Sequence, residues 1–327
     1  MAERIENRNL RGIESLVSPG AVVAALPLSE RAAATVRAAR RAVRDVIHGV
    51  DSQRRIIIVG PCSIHDPDAA LEYAERLVRV AAPLREHLVV VMRTYFEKPR
   101  TTIGWKGLVN DPHLDGSCDV EGGLAMARGL LLAINERGLP CGSEMLDPFT
   151  PQFLADLLSW ASLGARTTES QTHRELASGL SMPVGFKNGT DGDLTGARNA
   201  MVAARHPHSF LGIDANGSAA VVRTAGNPDR HLILRGGRSG PNFSAEAVAR
   251  AAAVVAGEKL ARPVLVDCSH DNAGRDHTRQ GAVCREVASQ MRTGTGGVLG
   301  VMLESNLRPG QQEFRPGARL RRGVEAA

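Results

Sequence analysis

The stretch RRIIIVGPCSIHD, residues 54–66, joins an entirely apolar run to a thiol, a hydroxyl and an imidazole. A short apolar run that ends in Gly and Pro is typical of a buried strand in a parallel sheet. Two interpretations are open for Cys62. It is either a small residue of the core, as free cysteines usually are, or a metal ligand at the mouth of a barrel. The rest of the chain favours the second interpretation.

From residue 54 onward, short apolar runs alternate with helical stretches rich in Ala and Leu. Strands that alternate with helices indicate a parallel sheet, and eight of them predict closure into a barrel. The eight runs are RIIIVGPC, HLVVVMR, LPCGSE, LGARTTE, PVGFKN, HLILRGG, VLVDCSH and GVLGVMLES. The predicted fold class is therefore α/β, an eight-stranded parallel (β/α) barrel (TIM barrel) over residues 51–327, with an N-terminal arm and helix over residues 1–50.

Two further elements are expected outside the barrel repeat. SERAAATVRAARRAVRDVIHG predicts a helix that begins at an N-cap, Ser29, and stops at Gly49. Between the fifth and sixth strands, two β-like runs flank Asn216 and Gly217, a pair that favours tight hairpin turns. We therefore predict an inserted β-hairpin at about residues 208–230.

The last polar residue of each predicted strand carries metal-binding or charged chemistry. These residues are Cys62, Arg93, Glu144, Arg166, Lys187, Arg235, His270 and Glu304. The C-terminal ends of the strands are where barrel enzymes place their active sites. Eight such residues at one rim therefore predict an active site.

Four of these residues are cations, which would repel one another unless an anion lay between them. They are Arg93, Arg166, Lys187 and Arg235. Arginine binds phosphate and carboxylate bidentately, so the pattern predicts a substrate with several negative charges. Pairing of each cation with a structural Asp or Glu remains the alternative.

The other strand ends offer sulfur, nitrogen and oxygen ligands. Cys62, His270 and Glu304 suit a borderline divalent metal that polarises a carbonyl group. After the second strand, the loop EKPRTT collects Lys98, Arg100, Thr101 and Thr102. This loop suits a second phosphate, with Lys98 near the reacting atoms. Lys98, Lys106 and Lys187 are three of only four lysines among 40 basic residues, which favours a chemical use for their ammonium groups.

Composition excludes several other classes of protein. The five cysteines are scattered, which argues against a disulfide framework or a zinc finger. The net charge is +5, but the basic residues are spread along the chain without a nucleic-acid-binding signature. No stretch approaches the roughly 18 apolar residues of a membrane span, and the N-terminus has no signal-peptide core. We expect a cytoplasmic protein without a nucleic-acid or membrane partner.

Several long segments closely resemble the type I 3-deoxy-D-arabino-heptulosonate 7-phosphate (DAHP) synthases. These segments are GPCSIHDP, MRTYFEKPRTTIGWKGLVNDP, GARTTESQTHRELASGLSMPVGFKNGTDG, HLILRGG, DCSH and GVMLES. The resemblance runs from about residue 30 to residue 307. It implies that phosphoenolpyruvate, erythrose 4-phosphate and water react to give DAHP and phosphate, the first step of the shikimate pathway. It also implies a homo-oligomer, either a dimer or a tetramer.

The resemblance implies a role for individual residues. Phosphoenolpyruvate would be bound by Arg93, Lys106, Glu144, Arg166, Lys187 and Arg235 and by the backbone of Gly164 and Ala165. The phosphate of erythrose 4-phosphate would lie on Arg100 and Thr101. Cys62, His270 and Glu304 would hold Mn²⁺, Fe²⁺, Co²⁺ or Zn²⁺, which polarises the aldehyde. We expect Lys98 to donate a proton to the new alkoxide, and Asp267 to orient the aldehyde end or the metal shell.

The resemblance ends in the C-terminal segment. The family continues after VMLES through a YGxSITDAC segment, whose aspartate is a fourth metal ligand, into a last helix. Here the segment reads NLRPGQQEFRPGARLRRGVEAA, and no aspartate follows Asp276. We expect a C-terminally shortened relative without the last helix, in which water or Glu325, a weak substitute at a frayed end, completes the metal site. Two functions stay open: a working synthase, or a metal-site-impaired paralogue that is a regulatory or structural partner of a complete synthase.

Regulation is predicted by analogy alone. In the resembling family, the inserted hairpin and the N-terminal arm form a site at which an aromatic amino acid inhibits. Gly212 lies in the hairpin and Ser181 would face it. A glycine leaves room for a hydroxylated side chain, so we expect tyrosine as the inhibitor, with insensitivity as the alternative.

Overall fold

A computed structural model describes residues 5–294, 296–314 and 320–326 of the chain. Eight parallel strands close into a barrel, which confirms the predicted fold class. In chain order the strands of the whole described structure are β1 (Arg55–Gly60), β2 (Leu88–Arg93), β3 (Cys141–Glu144), β4 (Trp160–Leu163), β5 (Val184–Lys187), β6 (Ser209–Ile213), β7 (Ala219–Arg223), β8 (Arg230–Leu234), β9 (Val264–Asp267), β10 (Val298–Glu304), β11 (Gln311–Gln312) and β12 (Glu325–Ala326). The barrel order is β1-β10-β9-β8-β5-β4-β3-β2, with β1 hydrogen-bonded to both β2 and β10.

Helices connect most of the barrel strands. They are α1 (Pro19–Ala25), α2 (Glu30–Ile47), α3 (Pro67–Ala81), α4 (Val120–Glu136), α5 (Thr150–Leu154), α6 (Gln171–Gly179), α7 (Thr195–Arg205), α8 (Ala245–Val254) and α9 (Gln280–Arg292). The described residues after β10 form the short parallel pair β11 and β12 and contain no helix. In the described part of the chain, none of the helices combines the length and the apolar character that a membrane crossing requires.

Helix α2 contributes to the core inside the barrel. The hydroxyl of Ser29 accepts a hydrogen bond from the backbone N–H of Ala32, as the predicted N-cap requires. Val43, Val46 and Ile47 on one face of α2 are fully buried in the same cluster as Ile56 of β1 and other residues of the barrel strands. Because each such side chain contributes about 1.5–3 kcal/mol when it leaves water, α2 stabilises the barrel to which it is attached.

The inserted hairpin is present where the sequence predicts it. Strands β6 and β7 pair antiparallel between α7 and β8. Asp214 accepts hydrogen bonds from the backbone of Asn216 and Ser218, and Gly217 has a positive φ of 79°. The tip contacts α1, because the N–H of Gly20 donates to the carbonyl of Ala215 at 2.7 Å.

Several predicted strands end earlier than expected. The run LGARTTE was expected to be the fourth strand, but β4 ends at Leu163. The carbonyl of Gly164 accepts hydrogen bonds from the N–H groups of Thr167 and Thr168, so the chain curls into a turn and cannot extend the ladder. Of the eight predicted strand ends, Arg93, Glu144, Lys187 and Glu304 terminate strands, whereas Cys62, Arg166, Arg235 and His270 lie one to three residues beyond them.

Candidate active site

A cavity of about 1080 Å³ opens at the C-terminal ends of the barrel strands. All eight of the predicted strand-end residues line it. So do Lys98, Arg100, Gly164 and Ala165, while Asp267 lies fully buried at the end of β9. Lys106 and Thr101 are exposed and are not part of the cavity wall, so the structure leaves these two predicted substrate ligands outside it. The structure thus brings most of the predicted site together.

Two of the three predicted metal ligands lie close together on the cavity wall. His270 Nε2 lies 3.7 Å from Glu304 Oε1, and Cys62 lines the same cavity. His270 follows β9 in a left-handed conformation with a φ of 47°, which is unusual for a residue with a side chain. Such strained backbone persists where the surrounding structure enforces it, and it is concentrated at functional sites.

The imidazole of His270 is oriented by a carboxylate. Its Nδ1 shares a hydrogen bond of 2.7 Å with the Ser269 hydroxyl and lies 2.9 Å from Asp267 Oδ2, so Nε2 is the nitrogen that faces the cavity. Metal-binding histidines almost always direct their second nitrogen to such a partner. Asp267 Oδ1 accepts hydrogen bonds from the N–H and the hydroxyl of Ser269, at 2.9 and 2.7 Å. This arrangement holds the ring ready to bind a metal.

The thiol of Cys62 is protonated in the absence of a metal. Burial raises its pKa to about 12, and the negative charge of Glu304 adds to the effect. Across residues 5–294, 296–314 and 320–326, no three Cys, His, Asp or Glu side chains are already close enough together to hold a metal ion. The donor set itself fits a divalent metal, because a thiol, an oriented imidazole and a carboxylate share one cavity and His270 Nε2 lies only 3.7 Å from Glu304 Oε1.

Arg93 ties the metal ligands to the anion-binding side of the cavity. Its guanidinium donates to Glu304 Oε1 and to the carbonyl of Cys62, each at 3.1 Å, and it stacks 3.6 Å above the centre of the Tyr95 ring. Burial lowers the pKa of Arg93, but Tyr95 and Glu304 outweigh this effect and raise it overall. Arg93 is therefore a permanent positive charge.

Lys187 and Arg235 each have one carboxylate partner. Lys187 Nζ lies 3.4 Å from Asp267 Oδ2, and Arg235 Nη1 lies 2.7 Å from Asp271 Oδ2. Burial lowers the pKa of Lys187, but Asp267 and other neighbours outweigh it, so its pKa is raised and the ammonium stays charged. Arg166 is exposed and has no ion pair within the described residues. Arg93, Lys187 and Arg235 thus each have a carboxylate partner, as the alternative of structural pairing requires, whereas Arg166 does not.

Glu144 lies against the turn after β4. Its Oε1 atom is buried without a hydrogen-bond partner in the described structure. A Cβ atom added at Gly164 would lie 2.2 Å from that oxygen, so only glycine lets the turn approach so closely. A buried carboxylate oxygen that borders a polar cavity is free to accept a hydrogen bond from a ligand there.

The C-terminal segment also reaches the cavity, which corrects the expectation of a frayed end. Glu325 lines the cavity, and its carboxylate contacts the backbone of Cys62 and Ser63 and lies 3.6 Å from Lys98 Nζ. The side chains of Lys98 and Glu325 are only 13% and 15% exposed. The docking of this segment brings a fifth carboxylate-bearing residue, beside Glu97, Glu144, Asp276 and Glu304, to the cavity wall.

Two residues that the sequence analysis missed support the site. Tyr95 stacks with Arg93, and its hydroxyl shares a hydrogen bond of 2.7 Å with Ser162. Gln280 fixes the end of β10, because its side chain donates to the carbonyl of Glu304 and accepts from its N–H. Tyr95 could have been found from the sequence, because it is an aromatic residue only two positions after the strand-end residue Arg93. Gln280 begins α9, far from Glu304 in the chain, and no sequence pattern indicated its role.

The two residues predicted for regulation lie away from this cavity. Ser181 is exposed in the loop between α6 and β5, and Gly212 lies in β6, a strand that contacts α6. A Cβ atom at Gly212 would lie 2.7 Å from the side chain of Val222 on β7. The hairpin therefore packs tightly at the glycine whose open space was the argument for tyrosine.

Comparisons with known proteins agree with this geometry. The family model described as "DAHP synthetase I family" matches residues 26–326. The chain is 50% identical over 323 residues to the Tyr-sensitive phospho-2-dehydro-3-deoxyheptonate aldolase of Escherichia coli (strain K12), covering 98% of this chain and 90% of that protein. It is 48% identical to the phospho-2-dehydro-3-deoxyheptonate aldolase of Corynebacterium glutamicum, with 98% and 86% covered.

A solved structure shows the same architecture. The phospho-2-dehydro-3-deoxyheptonate aldolase from Francisella tularensis SCHU S4 superimposes with a TM-score of 0.93 at 44% sequence identity, over 97% of this chain and 92% of that one. Phospho-2-dehydro-3-deoxyheptonate aldolase and DAHP synthase are two names for one enzyme. With a family match over nearly the whole chain and relatives at about half identity, this chain belongs to the DAHP synthetase I family.

Proposed function

We propose that this chain condenses phosphoenolpyruvate with erythrose 4-phosphate and water to give DAHP and phosphate, the first step of aromatic amino acid biosynthesis. The observation that carries the proposal is a single cavity that holds the four strand-end cations beside a thiol, an imidazole and a carboxylate. Membership of the family and the names of the relatives support the same reaction. Because those relatives are named as phospho-2-dehydro-3-deoxyheptonate aldolases, the alternative of a metal-impaired paralogue is not favoured.

Phosphoenolpyruvate is assigned to the cationic side of the cavity. Arg166, Arg235 and Lys187 provide charges that its phosphate and carboxylate neutralise, and Arg93 adds a fixed charge between this side and Glu304. The backbone at Gly164 and Ala165 and the orphaned oxygen of Glu144 border the same space. Lys106, which is exposed and outside the cavity wall, stays a predicted ligand of phosphoenolpyruvate.

Erythrose 4-phosphate is assigned to the loop after β2. Arg100 lines the cavity there, and its Nε donates to the carbonyl of Trp105 at 2.8 Å, which leaves the terminal nitrogens for the phosphate of the substrate. Thr101 is the neighbouring hydroxyl donor on the exposed face of the loop. Lys98, two residues earlier in the same loop, also lines the cavity and is assigned to the aldehyde end.

Cys62, His270 and Glu304 would hold the divalent metal on which the family depends. When bound, the metal polarises the aldehyde as a Lewis acid. Mn²⁺, Fe²⁺, Co²⁺ and Zn²⁺ all accept this combination of ligands, and the choice among them stays a prediction.

The residues of the chain do the rest by orientation and proton transfer. Carbon 3 of phosphoenolpyruvate attacks the aldehyde carbon, water adds at carbon 2, and the intermediate expels phosphate. Lys98 Nζ donates a proton to the oxygen of the former aldehyde. Asp267 orients His270 and Lys187 together, because one carboxylate oxygen contacts both. Tyr95 and Glu304 keep Arg93 in place beside the reacting groups.

An assay of phosphoenolpyruvate consumption tests the proposed reaction. With erythrose 4-phosphate and Mn²⁺ present, we expect phosphoenolpyruvate to disappear with matching release of phosphate, and a chelator should abolish this turnover. Turnover that survives exhaustive chelation would argue against the metal. If none of the four metals supported turnover, the chain would instead be a metal-site-impaired paralogue.

Three further statements are predictions that accompany the proposed function. We expect a homo-oligomer, because Ile5, Ile13 and Leu211 are 93%, 84% and 87% exposed and would be covered by a second copy. We expect the enzyme to work in the cytoplasm. We retain tyrosine as the inhibitor to test first.

A further inference from the structure

Two successive backbone N–H groups bind the carboxylate of Glu325. Cys62 N donates to Oε2 at 3.2 Å and Ser63 N donates to Oε1 at 3.0 Å. The Ser63 hydroxyl adds a third hydrogen bond to Oε1 at 3.2 Å. Successive amides that converge on one point form a concavity that favours an anion. The carboxylate therefore fixes the turn on which the chain leaves β1 and presents the Cys62 thiol.

Lys98 approaches the same carboxylate from the other side. Its Nζ lies 3.6 Å from Glu325 Oε1 and donates to the carbonyl of Ala326 at 2.7 Å. Since both side chains are largely shielded from water, this ion pair is screened less than one on an open surface. The ammonium group is thus held at a defined position at the edge of the cavity.

The segment that carries Glu325 is anchored by its own contacts. Strand β12 pairs with β11, and Gln312 Nε2 donates to the carbonyls of Arg321 and Val324, each at 2.9 Å. Val324 and Ala326 are 3% and 0% exposed. The two residues that flank Glu325 in the chain are therefore buried, and they fix its position at the cavity.

We propose that Glu325 is a positioning residue, which sets the Cys62–Ser63 turn for metal binding and holds Lys98 toward the aldehyde substrate. The inference rests on the proposed function, because it requires Cys62 to bind the metal and Lys98 to face erythrose 4-phosphate. Glu325 acts through these two residues and is not itself a ligand: its two oxygens are occupied by the amides of Cys62 and Ser63 and by Lys98.

Cobalt binding to the purified full chain tests the inference without relying on turnover. A Co²⁺–thiolate bond has a charge-transfer absorption, so titration reports both affinity and the presence of Cys62 in the site. We expect Glu325→Gln and Glu325→Ala to weaken Co²⁺ binding about 10–100-fold, as loss of an outer partner of a metal site does. Glu325→Asp, which keeps the charge, should recover part of the affinity. Glu136→Gln, which alters an exposed carboxylate at the end of α4, is the matched control and should bind as the parent does.

Substrate dependence provides the second readout. Because Lys98 is assigned to erythrose 4-phosphate, Glu325→Gln should raise the KM for that substrate about tenfold and leave the KM for phosphoenolpyruvate within about twofold. Co²⁺ affinity and both KM values within about twofold of the parent would overturn the inference. The variant Cys62→Ala distinguishes a wrong role for Glu325 from a wrong assignment of Cys62 as a metal ligand. If that variant keeps the charge-transfer band, the metal assignment itself is wrong, and the role of Glu325 is overturned with it.

Discussion

At the scale of residues, Asp267 connects the two halves of the site. It is fully buried, and its Oδ2 lies 3.4 Å from Lys187 Nζ and 2.9 Å from His270 Nδ1. Burial raises the pKa of this carboxyl, but His270 and Lys187 outweigh it and hold the pKa well below the ordinary value. Asp267 therefore stays ionised, and one charge orients both an anion-binding cation and a metal-binding imidazole.

Replacing Asp267 by Asn tests this connection. The amide keeps the volume but removes the charge, so we expect kcat/KM to fall about 10–100-fold and metal affinity to fall by a similar factor. The kinetic constant comes from phosphoenolpyruvate consumption and the affinity from competition with a chelator. Asp115→Asn, in an exposed loop, is the control and should leave both unchanged. Parental values for both quantities in Asp267→Asn would rule out the orienting role.

Gly164 allows a second test at the same scale. Gly164→Ala forces Glu144 to move, because the new Cβ would lie 2.2 Å from Glu144 Oε1. We expect the KM for phosphoenolpyruvate to rise about tenfold with little change in kcat. Gly129→Ala is the control: it lies within α4 with nothing within 4 Å of the added Cβ, and it should stabilise the protein by about 0.5–1 kcal/mol. An unaltered KM for phosphoenolpyruvate in Gly164→Ala would show that Glu144 and the turn after β4 do not contribute to binding this substrate.

At the scale of elements, β4 and β8 share a buried hydrogen bond. Trp160 Nε1 donates to His231 Nε2 at 2.9 Å, and His231 Nδ1 lies 3.0 Å from the carbonyl of Leu232. The ring is therefore neutral, with its proton on Nδ1. Burial lowers the pKa of His231 from about 6.5 to about 4.

This lowered pKa makes the stability of the barrel depend on pH. Below about pH 6.5 His231 becomes protonated in the unfolded chain, whereas in the folded chain it becomes protonated only near pH 4. The free energy of unfolding should therefore fall as the pH drops from 6.5 to 4, by about 3 kcal/mol from this group. Denaturation by urea at several pH values measures the slope. His231→Gln should lose stability at pH 7 and show a shallower slope; an equal slope would assign the pH dependence to other groups.

The elements were predictable where local pattern determines them. The apolar runs, the N-cap at Ser29 and the turn at Asn216 and Gly217 predicted the strands, α2 and the hairpin, because burial and turn chemistry are local properties. The end of β4 was not predictable, since the hydrogen bonds of Gly164 that close its turn compete with extension of the strand. Arg166 consequently lies beyond the strand to which it was assigned, and His270 likewise lies beyond β9.

At the scale of the whole molecule, convergence in the barrel explains both the success and the limits of prediction. Cys62, Arg93, Glu144, Lys187 and Glu304 lie at or just after the ends of different strands of one parallel sheet, so closure alone brings them to one cavity. Contacts between segments that are distant in the chain and do not belong to the barrel repeat leave no periodic pattern in the sequence. The docking of Glu325 against Ser63 and Lys98 depends on how the segment after β10 returns to the mouth, which no local signal in the sequence describes.

The central claim is that the metal ligands and the anion-binding cations form one site. A crystal structure of the full chain grown with Mn²⁺ and phosphoenolpyruvate, with anomalous scattering measured to locate the metal, tests this most directly. We predict one Mn²⁺ bound to Cys62 Sγ, His270 Nε2 and Glu304, about 2–2.5 Å from each, and phosphoenolpyruvate between Arg166, Lys187 and Arg235. Manganese bound away from these three ligands, or phosphoenolpyruvate outside the cavity, would contradict the account.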